Sequence, residues 1–82
     1  MITVRYFAAA KAAVGLSEER RDDAGTIGDL LTRVAGGAPD AAATAAVFAR
    51  CSFLHNGRAT TDPRTPLVPG DTLDVLPPFA GG

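Results

Sequence analysis

The chain has 82 residues, with eight basic and nine acidic side chains and a formal net charge of −1 at neutral pH. A chain of this length forms one small domain that buries only about 60–65% of its unfolded surface, so we do not expect a deep internal catalytic pocket. The charges are scattered along the sequence, which excludes the basic patch that is typical of nucleic-acid partners and of proteins that bind an anionic membrane.

Cysteine content and hydropathy indicate the compartment. The single cysteine, Cys51, has no partner for an intramolecular disulfide, which is typical of proteins in a reducing environment. No run of residues approaches the roughly 20 apolar positions of a membrane span. Arg5 and Lys11 interrupt the apolar N-terminus before it could form the core of a signal peptide. We therefore expect a cytoplasmic protein without a membrane partner.

The start of the chain predicts a β-strand followed by a short helix. Ile2, Val4 and Tyr6 recur at every second position, the period of a half-buried strand, so we assign them to its core face. The alanine-rich residues 8–14 then predict one or two helical turns that end at Gly15.

The middle of the chain predicts an edge strand and two helices. Residues 17–22 are polar and charged, as edge strands often are. Thr26, followed three residues later by Asp29, has the spacing of a helix-capping pair. The apolar positions that follow at helical spacing are Ile27, Leu30, Leu31 and Val34. Residues 40–50 predict a second, shorter helix that docks on the sheet.

The last third of the domain returns to strands. Residues 51–54 are apolar, residues 55–57 predict a turn with His55 in it, and residues 58–61 can pair back. Residues 72–76 alternate again and predict the final strand. The core-facing positions of that strand are Leu73 and Val75.

This order of elements predicts an α+β fold, in which one mixed sheet is covered on one face by a helix. The β-grasp arrangement satisfies it. We expect the domain to occupy residues 1–76 and an extended, flexible tail to occupy residues 77–82.

The tail is the most informative segment of the sequence. It reads Pro77-Pro78-Phe79-Ala80-Gly81-Gly82, and two terminal glycines arise by chance in only about 0.5% of chains. Glycine has no side chain, so Gly81 and Gly82 can lie extended in a narrow slot, while the two prolines favour a path away from the domain. The free carboxylate of Gly82 is thus a candidate reactive group. A frayed terminus of small residues is the alternative.

Two apolar residues stand on otherwise polar strand faces and predict a docking surface. Phe7 shares its face with polar residues of the first strand, and Leu76 does so on the last strand. If these strands are neighbours, Phe7 and Leu76 form an exposed patch at the root of the tail, extended by Pro77 and by Phe79 as an aromatic anchor. Alternatively, both side chains fold over the rim of the core.

Three segments together resemble the small subunit of molybdopterin synthase, which is one of the ubiquitin-like sulfur carriers. They are Ile2-Thr3-Val4-Arg5-Tyr6-Phe7-Ala8, the late segment Pro66-Leu67 followed by Gly70-Asp71-Thr72-Leu73-Asp74-Val75, and the ending Pro77-Pro78-Phe79-Ala80-Gly81-Gly82. The resemblance implies a carrier, not an enzyme, whose Gly82 is adenylated and converted to a thiocarboxylate. Its sulfur would then pass to a cyclic pyranopterin precursor, forming the dithiolene of molybdopterin.

The resemblance also implies the partners. An E1-like adenylyltransferase would use ATP to activate Gly82, and the large synthase subunit would accept the loaded tail, with Ala80, Gly81 and Phe79 inside it. The carrier itself would hold no cofactor and no metal. It would be a monomer alone and part of a heterotetramer with a dimeric large subunit.

Other functions remain open on the residues alone. The same tail would suit a thiocarboxylate carrier for thiamine, cysteine or a thiolated metabolite. It would also suit a protein modifier that forms isopeptide bonds, although Lys11 is the only lysine available for chain growth. A ubiquitin-like binding module with an inert tail is the third possibility. Cys51, which opens an apolar strand, is interpreted as a core residue and not as a sulfur donor.

Overall fold

Eight elements of secondary structure lie within residues 1–77, the part of the chain that this computed structural model describes. In chain order they are β1 (Ile2–Tyr6), α1 (Ala9–Val14), β2 (Glu18–Arg21), α2 (Ile27–Gly36), α3 (Ala41–Phe48), β3 (Ser52–His55), β4 (Arg58–Thr60) and β5 (Thr72–Leu76). Their order and type confirm the predicted strand pair, helical middle and return to strands.

The five strands form one mixed sheet in the order β2-β1-β5-β3-β4. The central strands β1 and β5 are parallel, and every other neighbouring pair is antiparallel. Parallel neighbours need a long crossover, and here the crossover contains the helices. The predicted α+β, β-grasp fold is confirmed, and β2 is an edge strand as its charged residues predicted.

The hydrophobic core lies between one face of the sheet and the three helices. Val4, Leu73 and Val75 are completely buried, and the predicted core face of β1 is confirmed. The helices contribute their own buried side chains, which are Ala10, Ile27, Leu30, Val34, Ala35 and Phe48. Burial of apolar surface is the main stabilising contribution in a domain of this size. Among the described residues, the strand side chains of this core lie on the helix side, so the opposite face of the sheet is not part of it.

The charged edge strand is bonded to the core and is not simply solvated. The Tyr6 hydroxyl donates to Glu19 Oε2 over 2.6 Å, and Glu19 Oε1 accepts from Arg21 Nη1 at 3.1 Å. Arg21 also binds Asp23 through Nε and Nη2. Burial, followed by this bond to Glu19, raises the pKa of the Tyr6 hydroxyl, which therefore remains a donor at neutral pH.

Helix α2 begins at the predicted cap. Thr26 is in an extended conformation, and its hydroxyl accepts a hydrogen bond from the Asp29 backbone N–H at 3.1 Å. The Asp29 carboxylate reaches back to the Gly25 N–H at 3.3 Å, one residue before the cap. Two backbone donors at the helix start are thus satisfied by side chains, as in a capping box.

Replacing the cap should have a measurable cost. Thr26→Ala leaves a backbone donor unpaired, and we expect it to reduce the free energy of unfolding by about 1 kcal/mol. In a domain of this size that lowers Tm by about 4–8 °C. Thr32→Ala is the matched control, because Thr32 is exposed on the same helix and its hydroxyl bonds only to the Gly28 carbonyl within the helix. Equal Tm values for the two variants in thermal denaturation would contradict the assignment of the cap.

The hairpin between β3 and β4 turns over two residues. Asn56 and Gly57 both have positive φ, 51° and 82°, which is the requirement of a type I′ turn. His55 pairs with Arg58 across the strands. The prediction of His55 as a turn residue was therefore wrong: it is the last residue of β3, because an Asn-Gly pair is sufficient to close the hairpin.

Candidate functional site at the root of the C-terminal tail

The sheet topology brings two strand ends together where the tail begins. Because β1 and β5 are parallel, both end at the same edge of the sheet. Tyr6 pairs with Val75, and the Phe7 N–H donates to the Val75 carbonyl at 3.2 Å. Phe7 therefore lies beside Leu76, the last residue of β5. The condition on which the predicted patch depended, that the two strands are neighbours, is met.

Phe7 and Leu76 lie on the face of the sheet opposite the helices. Tyr6 and Val75 point into the core, and successive side chains of a strand alternate between faces. Phe7 is 41% exposed and Leu76 is half-buried. Leu54, two residues beyond the Ser52 that pairs with Leu76, lies on the same face and is also half-buried. We call Phe7, Leu54 and Leu76 the tail-root patch.

Pro77 does not lie on the same side of the sheet as this patch. It lines a small surface cavity of about 190 Å³ together with Ala9, Val47 and Arg50, on the helix side of the sheet. The structure thus separates two residues that the sequence had grouped, since Pro77 and Leu76 are on different sides. A role of Phe7, Leu76 and Pro77 in partner binding stays a prediction.

The remaining predicted site residues are Phe79, Ala80, Gly81 and Gly82. They lie in residues 78–82, outside the described part of the chain. What the structure does define is their starting point, because β5 ends at Leu76 beside the open face of the sheet.

An ion pair lies next to the tail-root patch. Arg5 Nε is 2.6 Å from Asp74 Oδ1, and Arg5 Nη2 is 3.0 Å from Asp74 Oδ2, so the contact is bidentate. The Asp74 side chain is only 12% exposed, whereas that of Arg5 is 46% exposed. The hydrogen bond to Asp74, followed by its charge, raises the pKa of Arg5. Sequence inspection missed this pair, although its two charges share a face of neighbouring strands.

A second polar cluster holds the other end of β5. The Asp71 carboxylate is nearly buried and accepts hydrogen bonds from Asn56 Nδ2 and from the Val68 backbone N–H, each at 2.9 Å. It also lies 2.8 Å from His55 Nε2. Asn56 Oδ1 in turn accepts from the Thr72 N–H at 2.8 Å. The β3–β4 turn is thereby attached to the strand that leads to the tail.

These hydrogen bonds stabilise the charged form of Asp71. The bond from Asn56, followed by those from His55 and Val68, lowers the pKa of the carboxyl to about 2. A depressed folded-state pKa contributes stability that is fully present above the unfolded value, about 3.9, and is lost as the pH falls through the folded value. The cluster therefore makes folding sensitive to acid.

We expect Asp71→Asn to remove part of this acid sensitivity. Denaturant unfolding of the natural chain should show a free energy that falls between about pH 4 and pH 2. The variant should be less stable at pH 7 by about 1–3 kcal/mol, because a nearly buried, charge-assisted network is lost, and its pH dependence should be flatter in that window. Asp22→Asn, at an exposed position, is the control. An unchanged pH profile in Asp71→Asn would contradict the assignment.

The other candidate groups have structural roles. Cys51 is buried, its thiol donates to the Val47 carbonyl at 3.2 Å, and burial raises the pKa of the thiol. Its interpretation as a core residue is confirmed.

Within residues 1–77 no three His, Cys, Asp or Glu side chains are grouped so as to hold a metal ion. Of the helices in that range, none is long and apolar enough to cross a bilayer.

A mixed five-stranded sheet with helices on one face, in the order β2-β1-β5-β3-β4 with β1 and β5 parallel, defines a β-grasp domain of the ubiquitin-like class. The chain belongs to the ThiS family, whose model matches residues 4–82. The proteins of this family are ubiquitin-like sulfur carriers. The match extends through the terminal glycines. No curated protein is similar enough to the chain to count as a match.

Solved structures share the whole fold. The crystal structure of SAMP1 from Haloferax volcanii is 29% identical, with a TM-score of 0.75 over 99% of this chain and 98% of that one. A putative molybdopterin converting factor subunit 1 from Pyrococcus furiosus is 21% identical, with a TM-score of 0.67 over 95% and 97%. In a complex of subunits 1 and 2 of the molybdopterin-converting factor from Helicobacter pylori, the similar chain is 22% identical, with a TM-score of 0.68 over 99% and 97%. The last two likenesses show the fold alone.

Proposed function

We propose that this protein is the sulfur carrier subunit of a molybdopterin synthase, with Gly82 as the residue that carries the sulfur. The observation that supports the proposal most is the family match over residues 4–82, since it includes the terminal glycines together with the domain. The resemblance of residues 2–8, 70–75 and the proline-rich ending to the small subunit of molybdopterin synthase favours this pathway among those open to a sulfur carrier. The carrier is consumed and recharged, and it performs no catalysis itself.

The chemistry begins with activation of a poor electrophile. A Gly82 carboxylate oxygen attacks the α-phosphorus of ATP and pyrophosphate leaves, which gives a mixed anhydride with AMP. Hydrosulfide then adds to the acyl carbon and AMP leaves, so the carbon that carried an AMP oxygen now carries sulfur. The thiocarboxylate is a soft, ionised nucleophile at the end of the C-terminal peptide. Two such transfers to a cyclic pyranopterin would supply both sulfurs of the dithiolene.

The domain supplies recognition. An E1-like adenylyltransferase that uses ATP, and then the large synthase subunit, would dock on the tail-root patch. Pro77 and Phe79 would be further contacts. Ala80 and Gly81 would lie in the narrow entrance to the partner's active site. The neighbour from Helicobacter pylori is a complex of two subunits, which is consistent with such a partner. We propose a monomer that joins a dimeric large subunit as a heterotetramer. No nucleic-acid or membrane partner is proposed.

The cytoplasm is the compartment that we propose for this chemistry. The only cysteine of the chain, Cys51, lies in the core with its thiol free. A cysteine used in this way suits a reducing environment.

Reconstitution tests the proposal. The loaded carrier, incubated with the large subunit and the cyclic pyranopterin, should lose its sulfur and yield the dithiolene, with two carriers discharged per product as measured by mass spectrometry. A carrier without Gly81 and Gly82 is the control. If a fully loaded carrier kept its sulfur in the presence of both, the molybdopterin assignment would be wrong, and a thiocarboxylate carrier for thiamine, cysteine or a thiolated metabolite would replace it.

A protein modifier is the second candidate. The likeness to SAMP1, at 29% identity and a TM-score of 0.75, favours it, because SAMP1 of Haloferax volcanii is named small archaeal modifier protein 1. In this function the activated Gly82 would form an isopeptide bond with a lysine of a target. Because Lys11 is the only lysine here, chains could grow only through that exposed residue. Gly82-linked lysine peptides in a digest of cellular protein would favour this function. A binding module with an inert tail would form neither the thiocarboxylate nor the isopeptide-linked product.

A further inference from the structure

The Arg5 guanidinium beside the tail-root patch is fixed by one carboxylate and retains donors for a second. Asp74 occupies the Nε and Nη2 side of the group, at 2.6 and 3.0 Å. Within residues 1–77, Asp74 is the one carboxylate within 4.0 Å of Arg5. A guanidinium has five N–H donors in a planar fork, so the end formed by Nη1 and Nη2 stays available for a further bidentate contact.

The orientation of that fork is set before any partner binds. Asp74 is nearly buried, and its position on β5 directly opposite Arg5 on β1 is determined by the sheet register. An arginine held in this way loses little conformational freedom when it makes another contact. Preorganised donors of this kind favour a planar acceptor with two oxygens.

The surroundings make a second contact necessary for tight binding. Phe7, Leu54 and Leu76 lie on the same face as the pair, so a partner that covers them also removes water from Arg5. Burying the unused donors without an acceptor costs free energy, which a purely apolar partner could not offset. On β2, Glu18 lies opposite Arg5, and the positively charged Arg20 is two residues along on the same face. The charge of Glu18 also acts on Arg5, but within residues 1–77 only Asp74 lies within 4.0 Å of the guanidinium, so Glu18 does not occupy the end of the fork.

We propose that the adenylating partner that covers the tail-root patch inserts one carboxylate, which binds Arg5 end-on and completes an Asp74–Arg5–carboxylate arrangement. This inference rests on the proposed function, since it concerns the enzyme that loads Gly82. The carboxylate makes the contact selective, because a partner with an apolar or basic residue at that position is rejected.

Binding of the purified adenylating enzyme tests the inference. Its Kd is measured by titration with the natural chain at about 0.05 M and about 0.3 M salt, a range over which exposed charge contacts weaken. Arg5→Gln should raise Kd on the order of 10- to 100-fold at low salt and flatten the salt dependence. Arg5→Lys should keep the salt dependence but still bind more weakly, because the fork is lost. Arg64→Gln, at an exposed loop position, is the control and should change Kd by less than about twofold.

Stability is checked by thermal denaturation, because Arg5→Gln leaves Asp74 without its cation. If that variant does not fold, Arg5→Gln with Asp74→Asn removes both charges and carries the same test. An unchanged Kd in the arginine variants would overturn the inference and leave the proposed function standing. A weaker Kd with an unchanged salt dependence would also overturn it, since the partner group would then be uncharged. If the natural chain were never loaded with sulfur, both the proposed function and this inference would be wrong.

Discussion

Removal of Gly81 and Gly82 is expected to abolish sulfur loading and leave the domain folded. The truncated chain ends at Ala80, so its carboxylate is withdrawn by about 7 Å from the position that the full tail reaches. A misplacement of even about 1 Å can cost a factor of 100 in rate, so we expect no thiocarboxylate above background. The core lies within residues 1–77, and Tm should be unchanged. The measurement is ATP-dependent loading followed by intact-mass spectrometry.

A matched variant separates the position of the carboxylate from the presence of a side chain. Gly81→Ala keeps the length of the tail and adds one methyl group, which tests whether the slot around the tail is as narrow as the two glycines indicate. We expect it to load slowly, whereas the deletion should not load at all. Undiminished activity of the deletion variant would identify the tail as inert and leave the binding-module function in its place.

Substitution of Phe7 should have the second-largest effect. Phe7→Ser removes the aromatic side chain of the tail-root patch. Truncating a central aromatic anchor commonly costs about 2 kcal/mol or more, so we expect Kd for the adenylating enzyme to rise on the order of 30-fold or more. Because Phe7 is 41% exposed, the effect on the free energy of unfolding should stay below about 1 kcal/mol.

Val68→Ser is the matched control for Phe7→Ser. Val68 is also apolar and 56% exposed, but it lies in the loop before β5, away from the tail root. Its substitution should leave Kd unchanged in a binding titration. If both variants bound the enzyme as well as the natural chain does, the open face would not be the docking surface, and the alternative of side chains that merely cover the core rim would be correct.

The parts of the fold that the sequence predicts are those with local signals. The alternation of Ile2, Val4 and Tyr6 defined a strand and its buried face, because a strand has a period of two residues. Thr26 and Asp29 defined the start of α2, since a cap depends on residues only three positions apart. Whether the first and last strands are neighbours was left open, because the pairing of strands far apart in the chain has no local signal, and the structure shows that β1 and β5 are parallel neighbours.

The polar contacts of the site depend on register and could not be predicted. Arg5 and Asp74 are 69 residues apart in the chain, and their bond exists only because β1 and β5 pair in one particular register. Asp71 reaches Asn56 for the same reason, across 15 residues of chain. The proposed role of the Gly82 carboxylate depends on residue type and on the resemblance, and needs no register. The patch of Phe7 and Leu76 could be predicted only on the condition that their strands are neighbours, which the register supplies.

The most direct test of the central claim is the intact mass of the protein isolated from its own cells, before and after incubation with ATP, the adenylating enzyme and hydrosulfide. Exchange of one oxygen for sulfur adds about 16 Da, and the account predicts this shift on the C-terminal peptide, at Gly82. The shift should require ATP and be absent after deletion of Gly81 and Gly82. A chain that is activated by no adenylating enzyme and never gains this mass, yet still binds its cellular partners, would contradict the sulfur-carrier function.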